Sequence, residues 1–355
     1  MKLRLIITVF VVNQTTIMTN SVYLLILGLL GLSMGLPVED AFDLQHSSVR
    51  YNPQDFYAPS RPVESASRIV GGGDAPDAYA EHMVGLLIGV YVKSFVCGGL
   101  VAKADVVLTA AHCVDVVISW WTGELMDTFR GQIGSNALSH GYEEIRFSRY
   151  LNHPAWDHVT IKNDVGILWL TEALSDNSPA RPIALSFKKV GGGELLTVTG
   201  WGRLSSWGSL PDLLQKLQMY SLSQAECEEG IQRARDEISA ETPDVVEKVE
   251  ICTMHTLGAG QGMCNGDSGS GLWLEKSRKT KCKTGEKCVK GSCEKCEKWE
   301  KCDKEVCEGV KRVVVGLVSW GFPCARGYPD MHARVSGFKD FLVPNLRLSA
   351  GEYEE

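Results

Sequence analysis

From Ile69 onward, short β-rich runs alternate with glycine-rich turns, and no long helical pattern interrupts them before Gly337–Leu346. Val84–Val92, Asp105–Thr109, Val165–Leu170, Leu195–Thr199 and Val313–Val318 are the clearest of these runs. Many short strands with frequent turn signals predict an all-β barrel or sandwich. A chain of 355 residues, 44% of them hydrophobic, is long enough for one large domain or two smaller ones, each with its own core. Its net charge of -7 gives no electrostatic footprint for nucleic acid.

Twelve cysteines, an even number, point to an oxidising compartment and to disulfides. The N-terminus agrees with that compartment. Leu5–Val12 is a short apolar run behind Lys2 and Arg4, and Val22–Leu36 is a second that closes on small residues around Ser33 and Gly35. The polar stretch Asn13–Ser21 separates them, so neither reaches the ~20 residues that span a bilayer. Residues 1–35 therefore read as a signal peptide region, with Met18 as a second candidate start and a signal anchor as the alternative. Secretion follows, with no membrane span in the mature chain. Asn13 heads the one N-x-S/T acceptor and lies inside this region, so no N-glycan is expected on the mature chain. Residues 36–68 carry Pro37, Pro53, Pro59 and Pro62, few apolar residues and no cysteine, which reads as a flexible pro-segment.

One segment breaks the β texture. Residues 275–312 hold thirteen Lys or Arg against eight Asp or Glu, a local +5 that leaves -12 on the rest of the chain. Six cysteines repeat a spacing there: Cys282-x5-Cys288-x4-Cys293 and then Cys296-x5-Cys302-x4-Cys307. The pattern reads as an internal duplication inserted in a surface hairpin. A zinc reading of Cys293-x2-Cys296 is poor in a secreted chain, and no metal or other cofactor is expected. Beyond Val289, Trp299 and Val306 the segment has almost no apolar residues, so disulfides must supply its stability. An acidic partner or surface is the natural docking target for such a charge.

Three motifs carry chemistry. Gly266-Asp267-Ser268-Gly269-Ser270-Gly271 sets a serine among glycines that let backbone N–H groups turn towards a substrate oxygen. Leu108-Thr109-Ala110-Ala111-His112-Cys113 sets a histidine behind a strand, although a lone histidine is more often structural. Asn163-Asp164-Val165-Gly166-Ile167-Leu168 puts an acid at the mouth of an apolar strand, where an unpaired carboxylate is costly to bury. A histidine N–H would satisfy it.

Taken in order, Arg68-Ile69-Val70-Gly71-Gly72, Ala110-Ala111-His112-Cys113, Asn163-Asp164, Thr199-Gly200-Trp201-Gly202, Gly266-Asp267-Ser268-Gly269 and Val318-Ser319-Trp320-Gly321 resemble the signature segments of the chymotrypsin/trypsin family. The resemblance runs from Arg68 to about Leu346, with residues 275–312 outside it. It implies two six-stranded antiparallel β-barrels with a C-terminal helix, a protease domain over residues 69–355, and a secreted serine endopeptidase made as a zymogen. Ser268 is then the nucleophile, His112 the base and Asp164 its orienting acid, in the chain order of this family. The N–H groups of Gly266 and Ser268 form the oxyanion hole. Ser319, Trp320 and Gly321 pair with the substrate backbone. A trypsin-like activating protease cuts Arg68–Ile69, and the new amino terminus pairs with Asp267.

The resemblance also implies the disulfides Cys97–Cys113, Cys227–Cys252 and Cys264–Cys324. A further bridge common in relatives is absent, its two positions being Leu196 and Leu274. The six inserted cysteines would then pair among themselves, in any of 15 patterns. Ser270 and Gly271 stand where the family usually has glycine and proline, and Gly166 stands for a more usual alanine. The pocket floor falls at Gly262, beside Met263, with Asp330 on the wall; this resembles the crab collagenases and implies cleavage after basic and large apolar residues. Protein and peptide substrates and a monomer are expected. The alternative is a catalytically weak homologue that acts as a binding or regulatory protein.

Overall fold

The computed structural model describes residues 72–355, apart from residues 207, 256–258, 283–285, 290–291, 296–305, 323 and 351. The signal region, the pro-segment and the Arg68–Ile69 bond lie outside the described residues.

The first sheet is built from β1 (Met83–Ile88), β2 (Ser94–Lys103), β3 (Val106–Thr109), β4 (Phe129–Ile133), β5 (Glu143–Ile145 and Phe147–Asn152, bent at Arg146) and β6 (Gly166–Leu170). Pairing runs β4-β1-β2-β3-β6-β5, and β5 pairs back onto β4. Every pair is antiparallel, so the sheet closes into a six-stranded barrel. The second set is β7 (Leu195–Gly200), β8 (Gln215–Ser221), β9 (Glu250–Met254), β10 (Gly271–Lys281), β11 (Val306–Trp320) and β12 (Asp330–Arg334). It runs β7-β8-β9-β12-β11-β10, again antiparallel, and β10 closes onto β7.

Strand alternation explains how the barrels hold together. Successive side chains point to opposite faces. Val101, Val107 and Leu168 face the interior of the first barrel, whereas their neighbours Leu100, Leu108 and Ile167 join a second apolar cluster. That cluster also takes Trp273, Val314 and Leu317 from β10 and β11, while Leu272, Val315 and Val318 fill the second barrel. The contacting strands are therefore apolar on both faces, which is why they read as continuous apolar runs rather than alternating ones. Each such side chain contributes about 1.5–3 kcal/mol on burial. No single polar contact between the barrels competes with that sum.

Among the described residues three helices accompany the barrels: α1 (Ala111–Asp115), α2 (Gln224–Ile238) and α3 (Lys339–Leu346), the last entered through a 3-10 turn at Val335–Phe338. The helix α2 is a departure from the sequence expectation, which placed the first long helical pattern near Gly337. Its signals are local. Ser223 and Glu226 form a reciprocal capping box, and Cys227, Gly230, Ile231 and Ala234 make a narrow buried stripe on an otherwise polar helix.

Strand pairing continues beyond residue 275. Pairing of β10 with β11 continues from Gly271 opposite Leu317 to Lys281 opposite Val306, so the barrel hairpin extends as a two-stranded arm. A second hairpin, Glu286–Val289 with Ser292–Lys295, follows, and Cys282 is disulfide-bonded to Cys293. The pairing of Cys288, Cys296, Cys302 and Cys307 falls outside what is described. At the arm's root the C-terminal strand Tyr353–Glu354 runs parallel to Ala184–Ser186, and the Glu354 carboxylate lies 2.6 Å from both Lys276 Nζ and Lys311 Nζ. These pairs are about one-third exposed on the lysine side, so each stabilises by at most about 1 kcal/mol.

Candidate active site

The site lies where the two barrels meet. His112 sits on α1, directly after β3, and the Cys97–Cys113 disulfide ties that turn to β2. Asp164 is 2% exposed and lies two residues before the start of the apolar strand β6. Its carboxylate takes three hydrogen bonds: Oδ1 accepts the His112 backbone N–H at 2.9 Å, and Oδ2 faces His112 Nδ1 at 2.8 Å and accepts the Ser319 hydroxyl. A carboxylate can only accept, so Nδ1 carries the proton and Nε2 keeps its lone pair. Burial pushes Asp164 up, but the His112 charge and the hydrogen bonds outweigh it and hold the carboxyl below its ordinary value. Burial likewise pushes His112 down, and Asp164 outweighs it to raise the imidazole above its usual 6.5.

Ser268 is positioned through its backbone. Its carbonyl accepts Gly98 N–H at 2.8 Å, and the next residue, Gly269, donates to Val318 O at 2.8 Å. Gly269 has φ +77°, and a β-carbon there would lie 2.1 Å from Thr109 Oγ1 and 3.1 Å from Ala110 N. Only glycine lets the serine loop come this close to the end of β3, three residues before His112. The hydroxyl of Ser268 makes no hydrogen bond to His112 among the described residues, a geometry common where no substrate is bound. The N–H groups of Gly266 and Ser268 also donate to no protein acceptor among the described residues, and Gly266 has φ +97°. Two uncommitted donors on one tight turn are suited to stabilising a developing oxyanion.

Asp267, fully buried, turns away from that cleft. Its oxygens accept Gly202 N–H at 2.9 Å and Cys264 N–H at 3.0 Å, and a β-carbon on Gly202 would fall 2.3 Å from the carboxyl. Burial outweighs both hydrogen bonds and pushes this carboxyl up to about 7.

The sequence matches the Trypsin family model over residues 69–293. The chain belongs to the trypsin family. It is a serine endopeptidase, a hydrolase of peptide bonds. Curated relatives include a vitellin-degrading protease of Bombyx mori, 27% identical over 82% of this chain and 91% of its own length. Trypsin-1 of Astacus astacus is 27% identical over 78% of this chain and 99% of its own length. Trypsin delta of Drosophila melanogaster is 25% identical over 77% and 94% respectively.

Asp330 is 6% exposed, and its Oδ2 accepts Met263 N–H at 3.0 Å. A β-carbon on Gly262 would lie 2.9 Å from Oδ2, and one on Gly321 would lie 2.9 Å from Oδ1. The carboxyl therefore occupies the space between two glycines, and burial pushes it up to about 8, with Asp267 adding to the rise. Cys264–Cys324 closes this region and Cys227–Cys252 fastens α2 to β9. Leu196 and Leu274, which stand in for a further bridge, both belong to the apolar filling of the second barrel.

Donor atoms of Cys97, His112 and Cys113 lie close together, but both sulfurs are spent in a disulfide and cannot serve as thiolate ligands. Among the described residues no helix is long and apolar enough to cross a membrane. Sequence reasoning missed one polar group at the site's edge, the buried pair Lys162–Glu250. Its signal was a glutamate inside the apolar run Val249-Glu250-Ile251-Cys252, which must find a partner when buried.

Proposed function

We propose that the chain is the precursor of a secreted endopeptidase, silent until Arg68–Ile69 is cut, which accepts both basic and large apolar residues on the acyl side of the scissile bond. Ser268 attacks the carbonyl while His112 Nε2 takes its proton and later returns it to the leaving amine. Asp164 keeps the tautomer and stabilises the imidazolium, and the Gly266 and Ser268 N–H groups receive the oxyanion. The observation that supports the dual preference is the Asp330 carboxyl lodged between Gly262 and Gly321, with Met263 alongside.

A carboxyl sitting near 8 is mostly neutral at pH 6, which suits an apolar side chain. An arginine or lysine needs it ionised, so its binding carries the cost of deprotonation, and that cost shrinks as pH rises towards about 8. Cleavage at Arg relative to Leu is therefore expected to rise at least about tenfold between pH 6 and 8. A substrate library varied at this one residue, assayed after cleavage at Arg68, measures it. Asp330→Gly is expected to lower Arg and Lys cleavage about a hundredfold, to leave Leu, Phe and Met within about threefold, and to flatten the pH dependence of the ratio. Equal losses on basic and apolar substrates would make Asp330 a structural group and sink the dual preference.

The basic arm serves as a dispensable docking element in the same reading. Replacing residues 276–311 by an Asn-Gly turn is expected to leave small-peptide hydrolysis within about twofold and to abolish salt-sensitive retention on an anionic matrix. Collapse of small-peptide turnover in a folded deletion would assign the arm to the active site instead.

A further inference from the structure

We propose that Glu250 is a positioning residue that, together with Lys162, fixes the indole of Trp320 as the platform for substrate residues preceding the scissile bond. The proposal rests on the reading of Ser319–Gly321 as the substrate-pairing strand.

Glu250 lies on β9 of the second barrel and is 5% exposed. Three donor groups make four hydrogen bonds to its carboxylate. Oε1 accepts Trp320 Nε1–H at 2.9 Å and Lys162 Nζ at 2.7 Å; Oε2 accepts Lys162 Nζ at 2.8 Å and Val246 N–H at 2.7 Å. Lys162 comes from the first barrel, two residues before Asp164, and its Nζ also sits 5.2 Å from the Trp320 ring centroid. Ile161 and Asn163, on either side of it, have φ +51° and +58°, and a β-branched residue in that region is strained. The strained turn carries Lys162 across to the other barrel, where its side chain is only 13% exposed.

The placement gives the pair its consequence. Trp320 follows Ser319, whose hydroxyl bonds Asp164, and precedes Gly321 at the pocket wall. The indole is partly exposed, so one part faces solvent where an extended peptide would lie, while its N–H is anchored from behind. Burial of a lone glutamate here would be costly, and a buried ion pair is seldom a net source of stability. What the arrangement does supply is one fixed ring orientation, and preorganisation of this kind strengthens binding by lowering the ordering cost.

The test compares a tetrapeptide anilide with a single-residue ester, both ending in the same residue, on the cleaved enzyme. Glu250→Met with Lys162→Met removes both charges together and so avoids an orphaned buried ion. KM for the tetrapeptide is expected to rise about tenfold, while kcat and ester turnover stay within about twofold. Glu250→Gln with Lys162→Met restores an acceptor for Trp320 Nε1 and is expected to return the tetrapeptide KM to within about threefold of the parent. Trp320→Phe, which keeps the ion pair and loses the N–H, is expected to reproduce the loss with an unchanged melting temperature, and it serves if the double variant does not fold. Parallel loss on both substrates, no rescue by glutamine, or full length dependence in Trp320→Phe would each overturn the proposal. A parent enzyme that takes no sulfonyl fluoride label and turns over neither substrate overturns the proteolytic reading itself, and this inference with it.

Discussion

Ser268→Ala is expected to lower kcat on small peptide amides by a factor of about a million while leaving the affinity for a substrate-like inhibitor unchanged. The nucleophile and its base act as a unit, so removing either forfeits nearly all of their joint effect. Asp164 accepts His112 N–H, His112 Nδ1–H and the Ser319 hydroxyl, which leaves His112 no other tautomer. The residual rate, roughly a thousandfold over water, would come from the Gly266 and Ser268 donors and from substrate binding. Because His112 must be neutral to accept the serine proton, and Asp164 raises it above 6.5, kcat/KM of the parent should climb with pH through a value above 6.5. Labelling by a sulfonyl fluoride should occur at Ser268 alone. A Ser268→Ala enzyme retaining more than about one per cent of activity would show that another group carries the chemistry.

Much of this architecture was legible in the sequence because the barrel strands are short and carry apolar side chains on both faces. Asp105–Thr109 and Val165–Leu170 were read correctly to within a residue at each end, since Val106–Thr109 and Gly166–Leu170 are buried throughout. The helix α2 was not legible by periodicity: its buried stripe is four residues of small or mixed character, and its strongest signal is a capping box at one end. Gly271–Leu274 and Val313–Val318 pair as neighbouring strands, but the polar residues that follow hide the continued pairing from Glu275 to Lys281. Backbone hydrogen bonds carry that extension, and composition does not report them. The pair Lys162–Glu250 was invisible for a different reason. Its partners are separated by 88 residues and meet only because the two barrels face each other.

Cutting the bond after Arg68 is expected to raise peptide hydrolysis by a factor of about a thousand or more, and Asp267→Asn is expected to cancel that gain. Arg68→Gln should leave the chain inert towards activation by trypsin. The reason lies in a carboxyl that meets no cation among the described residues: Asp267 is 0% exposed, its described partners are two backbone N–H groups, and burial lifts it from 3.8 to about 7. A carboxyl raised in the folded state holds a proton that the unfolded chain has released. The fold therefore loses stability as pH rises from about 4 to about 7, by up to roughly 4 kcal/mol if the segment stays closed. Domains are stable by only about 5–15 kcal/mol, so the precursor is expected to relieve part of that strain by opening the loop Cys264–Gly269, which includes the Gly266 and Ser268 N–H groups. A free amino terminus at Ile69, ionised below about pH 8, gives Asp267 its counter-charge and removes the penalty. The melting temperature of the cleaved form should thus equal that of the precursor near pH 4 and exceed it most at pH 7–8. In Asp267→Asn the two forms should melt together at every pH, because an amide neither titrates nor attracts the amine. A melting difference that ignores pH, or full activity in an uncleavable Arg68→Gln chain, would sink the activation mechanism while leaving the geometry of His112 and Asp164 intact.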